Sequence, residues 1–230
     1  MATVDCEGKT IREINTQVKA LIAQGEKDIT ITNTKARHNL GVALLGDVRL
    51  RYEGSVGYYC GGLGAGPTID ITGSAGWGVA ESMMNGTVTV HGNVGNAAGA
   101  SIRGGTLVVH GDAAARAGVS MKRGLILIGG DCGYMSGFMA QKGHIIVCGD
   151  AGHAFGDSMY ETICYVGGKT DDLGNDAVIE EVTDEDVAFL TETLERYMPD
   201  KVAQIANFKK IVSGRQLWNF KKSDRSVLKR

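Results

Sequence analysis

Glycines recur every 19 residues along most of this chain. Gly54, Gly73, Gly92, Gly111, Gly130, Gly149 and Gly168 form an unbroken series. Gly57, Gly76, Gly95, Ala114, Gly133 and Gly152 form a second, and Gly61, Ala80, Gly99, Gly118, Gly137 and Gly156 a third. Gly86, Gly105, Gly124 and Gly143 form a fourth. Where a series breaks, alanine, the next smallest residue, stands in. The 230 residues include 34 glycines and only 2 prolines. Such a glycine content suits a flexible linker or repeated tight turns, and the fixed spacing decides for turns. Self-similarity at this period marks a solenoid, in which each repeat buries its apolar face only against its neighbours.

Side chains fall into columns at the same spacing. A short alternating strand, Thr87-Val88-Thr89-Val90-His91 in one unit, runs between the fourth-series and first-series glycines. Stacking the units gives a column of Leu50, Ile69, Val88, Leu107, Ile126, Ile145 and Cys164. Two residues on lie Tyr52, Ile71, Val90, Val109, Ile128, Val147 and Val166. Side chains two apart on a strand share a face, so both columns point inward. Val56, Ala75, Val94, Ala113, Cys132 and Ala151 give a third inward column, small enough for a tight corner. The pattern predicts an all-β chain, a right-handed parallel β-helix with 19-residue coils and about seven to eight turns. Parallel connections are strongly biased to the right hand, and 19 is not a multiple of the six residues of left-handed hexapeptide helices. Ile29-Thr30-Ile31-Thr32 is expected to fit the register one coil earlier. Residues 28–170 then make a column ~35–40 Å long.

An open-ended solenoid needs caps. We read one β-helix domain over 1–230: a helical cap at 1–27, the β-helix at 28–170, and C-terminal helices with a basic tail at 171–230. A helix is expected over 10–24, with a capping box at Thr10 and Glu13 and an apolar face of Ile11, Ile14, Val18, Leu21 and Ile22. Thr183 and Asp186 repeat the cap, with Val187, Leu190 and Leu194 inward, and Pro199 stops the run. A second helix is expected over 201–212, with Val202, Ile205, Ala206 and Val212 inward. The last 22 residues carry eight Lys or Arg against one Asp, with Trp218 and Phe220 among them. An overall charge of −2 and a tail of +7 leave −9 elsewhere. That tail reads as a solvated extension or as a docking segment for an acidic partner surface. No nucleic-acid module accompanies it. One outward column changes character. Arg51, Asp70 and Thr89 are ordinary solvent-facing choices, but Val108, Leu127, Ile146 and Tyr165 are apolar. A bare stripe of that kind invites association, so either the C-terminal helices, the favoured reading, or a partner subunit is expected to cover it.

Motifs for chemistry are scarce, and no catalytic, cofactor-binding or metal-binding residue is assigned. Gly61-Gly62-Leu63-Gly64-Ala65-Gly66 looks like a phosphate loop, but it lies inside the repeat without a following helix. His91 and His110 stack on adjacent coils, yet their column continues as Gly129 and Cys148 and sustains no ligand set. His144 and His153 show no ligand spacing. Cys6, Cys60, Cys132, Cys148 and Cys164 lack iron–sulfur spacing. Charges run through the first 25 residues, and no segment approaches the roughly 18 apolar residues of a membrane span. The expected setting is the cytoplasm, with reduced thiols, no membrane and no nucleic acid.

The unit Gly92-x-x-Gly95-x-x-x-Gly99 recurs at Gly54/Gly57/Gly61, Gly130/Gly133/Gly137 and Gly149/Gly152/Gly156. It resembles the C-terminal GXGXG β-helix domain of the glutamate synthase large subunit over roughly residues 28–170. That resemblance implies two partners as separate chains: a class II glutamine amidotransferase-like subunit, and a synthase-like subunit carrying FMN and an iron–sulfur cluster. No cofactor is expected in this chain. The start Met1-Ala2-Thr3 lacks the family's N-terminal nucleophilic cysteine. The closing segment Phe208–Phe220 resembles the tail of the stand-alone small subunit of N-methylglutamate synthase (methylamine–glutamate N-methyltransferase). The C subunit of formylmethanofuran dehydrogenase, or of its formyltransferase/hydrolase counterpart, shares the glycine pattern. The implied role is a non-catalytic structural subunit that bridges its partners. An independent enzyme with a site on the solenoid face is the rival reading.

Overall fold

The computed structural model describes residues 2–170 and 172–215. Trp218, Phe220 and most of the basic tail lie outside the described residues.

The glycine period builds a parallel β-helix. Its rungs are β2 (Asp28–Thr32), β3 (Arg49–Tyr52), β4 (Ala65–Ile71) and β5 (Asn85–Val90), then β6 (Thr106–Val109), β7 (Leu125–Ile128), β8 (Lys142–Val147) and β9 (Glu161–Val166). They stack in sequence order, all in parallel. From β3 onward the register is 19, with Ile69 opposite Val88 and Ile126 opposite Ile145. Both expected inward columns are buried throughout, from Leu50 to Cys164 and from Tyr52 to Val166. Each such aliphatic side chain contributes about 1.5–3 kcal/mol on burial, so the core is a continuous ladder. The third column forms single parallel bridges, Val56 to Ala75 and on to Ala151.

The first coil departs from the period. Ile29 pairs with Leu50 and Ile31 with Tyr52, a spacing of 21. The expected 19-residue register for this strand therefore fails. The two extra residues are taken up in turns where Asn33, Lys35, Ala36 and Asn39 adopt left-handed φ. The ladder also begins earlier than the helical cap allowed. Ala2–Asp5 is a strand, β1, parallel to β2, with Ala2 opposite Ile29. Only Val4 of its four residues is buried, too short an alternation to signal a strand.

Helix α1 (Ile11–Ala23) interrupts the chain between β1 and β2 and closes that end of the core. Its Thr10/Glu13 capping box is formed; Ile14 and Val18 are buried, with Ile11, Leu21 and Ile22 packed beside them.

At the other end, β10 (Ala177–Glu180) leads to α2 (Asp184–Tyr197), capped by Thr183 and Asp186 as expected. Leu190 and Leu194 are buried, but Val187 is 41% exposed, so the inward face is Asp186, Leu190, Thr193 and Leu194 instead. A 3-10 helix spans Pro199–Asn207. The helix expected to continue to 212 is replaced by β11 (Lys209–Ser213), which lies antiparallel between β9 and β10. The last rung otherwise leaves a row of unpaired N–H and C=O groups, and only a strand satisfies them. Ile211 sits opposite Cys164 and is fully buried. Val202 and Ile205 are partly buried, Val212 is half-buried, and Ala206 is exposed.

The outward stripe is covered. Val108, Leu127, Ile146 and Tyr165 are at most 1% exposed and pack against Leu190, Leu194, Met198 and Phe208. The C-terminal segment thus builds a second small core on the outside of the solenoid.

Candidate functional site

The motifs weighed for chemistry are dispersed by the fold. Gly61–Gly66 is the turn into β4, and a Cβ at Gly66 would lie 2.9 Å from the carbonyl oxygen of Gly46. Those glycines let coils touch and leave no phosphate cradle. His91 and His110 stack with centroids 5.0 Å apart, and His91 Nε2 lies 2.7 Å from Asp70 Oδ1. Burial, then the neighbouring His91, lowers the pKa of His110. His144 lies beneath α2 against Phe189, whereas His153 stacks on Tyr134 and pairs with Asp172, so the two share no site. Among the described residues, no three His, Cys, Asp or Glu side chains are grouped to hold a metal. All five cysteines are buried. Burial raises every one of their thiol pKa values, that of Cys148 to about 11. A thiolate nucleophile or metal ligand is disfavoured at each.

One corner of the coil carries a ladder that the glycine columns alone did not reveal. The side-chain oxygens of Ser55, Ser74, Asn93, Asp112, Asp131 and Asp150 each accept the backbone N–H of the same position one coil on, at 2.7–3.1 Å. The first-series glycine precedes each of them. A Cβ at Gly111, Gly130, Gly149 or Gly168 would collide with the ladder oxygen of the previous coil. The residue following each glycine in the sequence was the available signal.

The next side of each coil is a zigzag with left-handed φ at every second residue: Tyr59, Gly61 and Leu63 in one coil, Met135, Gly137 and Met139 four coils later. The middle position faces the core, where a Cβ at Gly99 would meet Ile126 Cδ1 at 2.7 Å. Only glycine, or Ala80 at φ +57°, is accommodated there. The outer positions face solvent and are mostly small: Gly78, Ala97 and Ala154 in one column, Ser82, Ser101, Ser120 and Ser158 in the other. Tyr59 and Leu63 break that habit. They are 46% and 53% exposed and hold a backbone region that costs a residue with a Cβ roughly 1–2 kcal/mol.

These departures come as a set, and the set occurs twice. Tyr58, Tyr59, Leu63, Trp77 and Met84 lie 76 residues, four coils, before Tyr134, Met135, Met139, His153 and Tyr160. Tyr58 stacks on Trp77 at 5.2 Å, and Tyr134 stacks on His153 at 5.7 Å. The coils between carry Asn96, Ala97, Ser101, Ala115, Arg116 and Ser120. One outer face therefore presents two matching apolar patches about 19 Å apart at the usual strand spacing. Beside the first lies an open groove of about 330 Å³ lined by Tyr59, Leu63, Glu81 and Ser82 among others.

Fold and face together define a glycine-repeat β-helix that carries two matching exposed apolar patches on one outer side. The chain belongs to the GXGXG motif family, the family of the glutamate synthase C-terminal domain, whose model matches residues 9–223. It is 52% identical over 222 residues, 96% of either chain, to Protein GlxC of Rhizobium meliloti (strain 1021).

Proposed function

We propose that this chain is the non-catalytic β-helical subunit of a glutamate synthase-like complex, with N-methylglutamate synthase as the favoured activity. That enzyme converts methylamine and glutamate to N-methylglutamate and ammonia. The observation that carries the reading is the family match over residues 9–223. The two apolar patches on one rigid face support it, because a scaffold holding two partners needs two contact areas at a fixed separation. On this reading a class II glutamine amidotransferase-like subunit and an FMN and iron–sulfur subunit dock on the solenoid. The described residues offer neither cofactor a suitable set of ligands. The cysteines are buried and dispersed, and the glycine-rich turn leaves no cradle. A rigid spacer suits the exchange of a reactive amine between two sites, which must hold fixed geometry and exclude water.

The test is to co-express the chain with amidotransferase-like and flavin subunits encoded near it, purify the assembly, and assay formation of N-methylglutamate. A stable complex that turns over only when the β-helical chain is present is the expected result. Failure to assemble with those subunits would overturn the reading. Co-purification with molybdopterin or formyltransferase subunits would replace it with the formylmethanofuran alternative.

A further inference from the structure

The first patch carries one charged group, and it lacks a counter-charge. Among the described residues, the carboxylate of Glu81 makes no hydrogen bond or ion pair, although burial already raises its pKa. Four coils on, the equivalent carboxylate is Asp157, and it is satisfied. It accepts hydrogen bonds from Ser158 Oγ at 2.7 Å and from the backbone and side-chain amide nitrogens of Asn175 at 3.2 and 2.8 Å. The carboxylate of the second patch is thus satisfied within the chain, and that of the first is not.

We propose that the groove beside Tyr59, Leu63 and Glu81 is the docking point for a partner-protein segment that lays apolar side chains on Tyr59 and Leu63 and brings a lysine or arginine head to Glu81. The inference rests on the complex proposed above. Charge selects this occupant. A half-buried carboxylate in an apolar groove is costly until a cation meets it. A second copy of this chain docked symmetrically would place the same patch on both sides, bringing two Glu81 carboxylates into one apolar contact. Leu63 points the same way. At its position four of the other coils use Ser82, Ser101, Ser120 and Ser158, and only the second patch has a large residue, Met139, so folding does not require the leucine.

The experiment separates binding from folding. Leu63→Ser installs the residue found in four of the other coils, and Glu81→Gln removes the charge without adding bulk. Both should leave the melting temperature of the isolated chain unchanged or slightly higher. Titrated against the co-expressed amidotransferase-like and flavin subunits, each should weaken assembly by about tenfold, and Glu81→Lys by more. Parent-like assembly of all three variants sinks this inference and leaves the proposed complex standing. A parent chain that does not assemble sinks both. Concentration-dependent dimerisation of the parent that Leu63→Ser abolishes would assign the groove to a second copy and overturn it. Hydrogen-exchange protection at Tyr59–Leu63 that vanishes when residues 216–230 are removed would assign the groove to the chain's own tail and overturn it equally.

Discussion

Asp131 accepts the backbone N–H of Asp150 through its Oδ1, 2.7 Å away and one coil on. The contact belongs to a file of side chains in which Asp112, Asp131 and Asp150 stand on successive coils, about 4.8 Å apart. Each carboxylate gains a hydrogen bond and suffers the charge of its neighbours. Asp131→Asn keeps the acceptor and removes the repulsion, so it should raise the melting temperature at low salt, with the gain shrinking as salt screens the file. Asp131→Ala strands the Asp150 N–H and should cost about 1 kcal/mol. Thermal melts at two ionic strengths check both, and an equal loss for Asn and Ala would show that the file is not held by these hydrogen bonds.

Gly133→Val should be far more damaging than Thr89→Val. A Cβ at Gly133 would sit 2.9 Å from the carbonyl carbon of Ala114 and from the nitrogen of Ala115, both backbone atoms that cannot swing aside. The obstacle is contact between coils, since Gly133 is not among the residues with left-handed φ. Overpacking of this kind costs roughly 1–3 kcal/mol. At about 2–4 °C per kcal/mol for a chain of this size, a fall of several degrees is expected for Gly133→Val. Thr89 faces outward on a strand, where valine is equally at home, and its variant should melt like the parent. Matching melting temperatures would refute the close-approach account.

Much of this was legible because a solenoid repeats its physics. The period placed Leu50 to Cys164 and Tyr52 to Val166 inward, and the chemistry of Val108, Leu127, Ile146 and Tyr165 called for a cover. Single events were not repeated and left little trace. Lys209–Ser213 is a strand because β9 offers an open edge, a tertiary demand that outweighs local pattern. Val187 lies just off the buried line of α2 because the polar Asp186 takes the inward place, held by Tyr165 and Lys210. The paired patches were visible as a second period of 76 residues, but they are made of departures from the repeat, and the columns of glycine drew attention to what is constant.

Leu127→Asp should cost stability in the isolated chain. Leu127 is fully buried between the solenoid and Leu190, Leu194 and Met198. An aspartate there loses the transfer energy of the leucine and buries a charge with no partner, a combined effect of at least about 3 kcal/mol. Because the cover is part of the same chain, the loss should appear in urea unfolding without any other protein. A variant with the parent's urea midpoint would show that α2 does not lie on this stripe.

The C-terminal cover should loosen in acid, through groups beneath and beside α2. Tyr165 donates its hydroxyl to Asp186 Oδ1 at 2.7 Å, and Lys210 Nζ lies 3.0 Å from Asp186 Oδ2. Burial works to raise the pKa of Asp186, but hydrogen bonds from the Thr183 N–H, Tyr165, Lys210 and the Thr183 hydroxyl outweigh it and hold the carboxyl well below the usual range. A depressed folded pKa contributes stability that is present above the unfolded value, about 4, and is lost as pH falls from there toward the folded value. His144, lowered chiefly by burial, behaves in the same sense from a higher starting point: its contribution is present above about 6.5 and declines below it. Unfolding free energy should therefore drop in two stages, first below about 6.5 and then below about 4. Asp186→Asn leaves the partly buried Lys210 without its counter-charge and should cost about 2–3 kcal/mol at pH 7, with the gap to the parent closing as pH falls below 4. A gap that stays constant from pH 7 to pH 3 would mean that the Asp186 carboxylate does not fasten the cover.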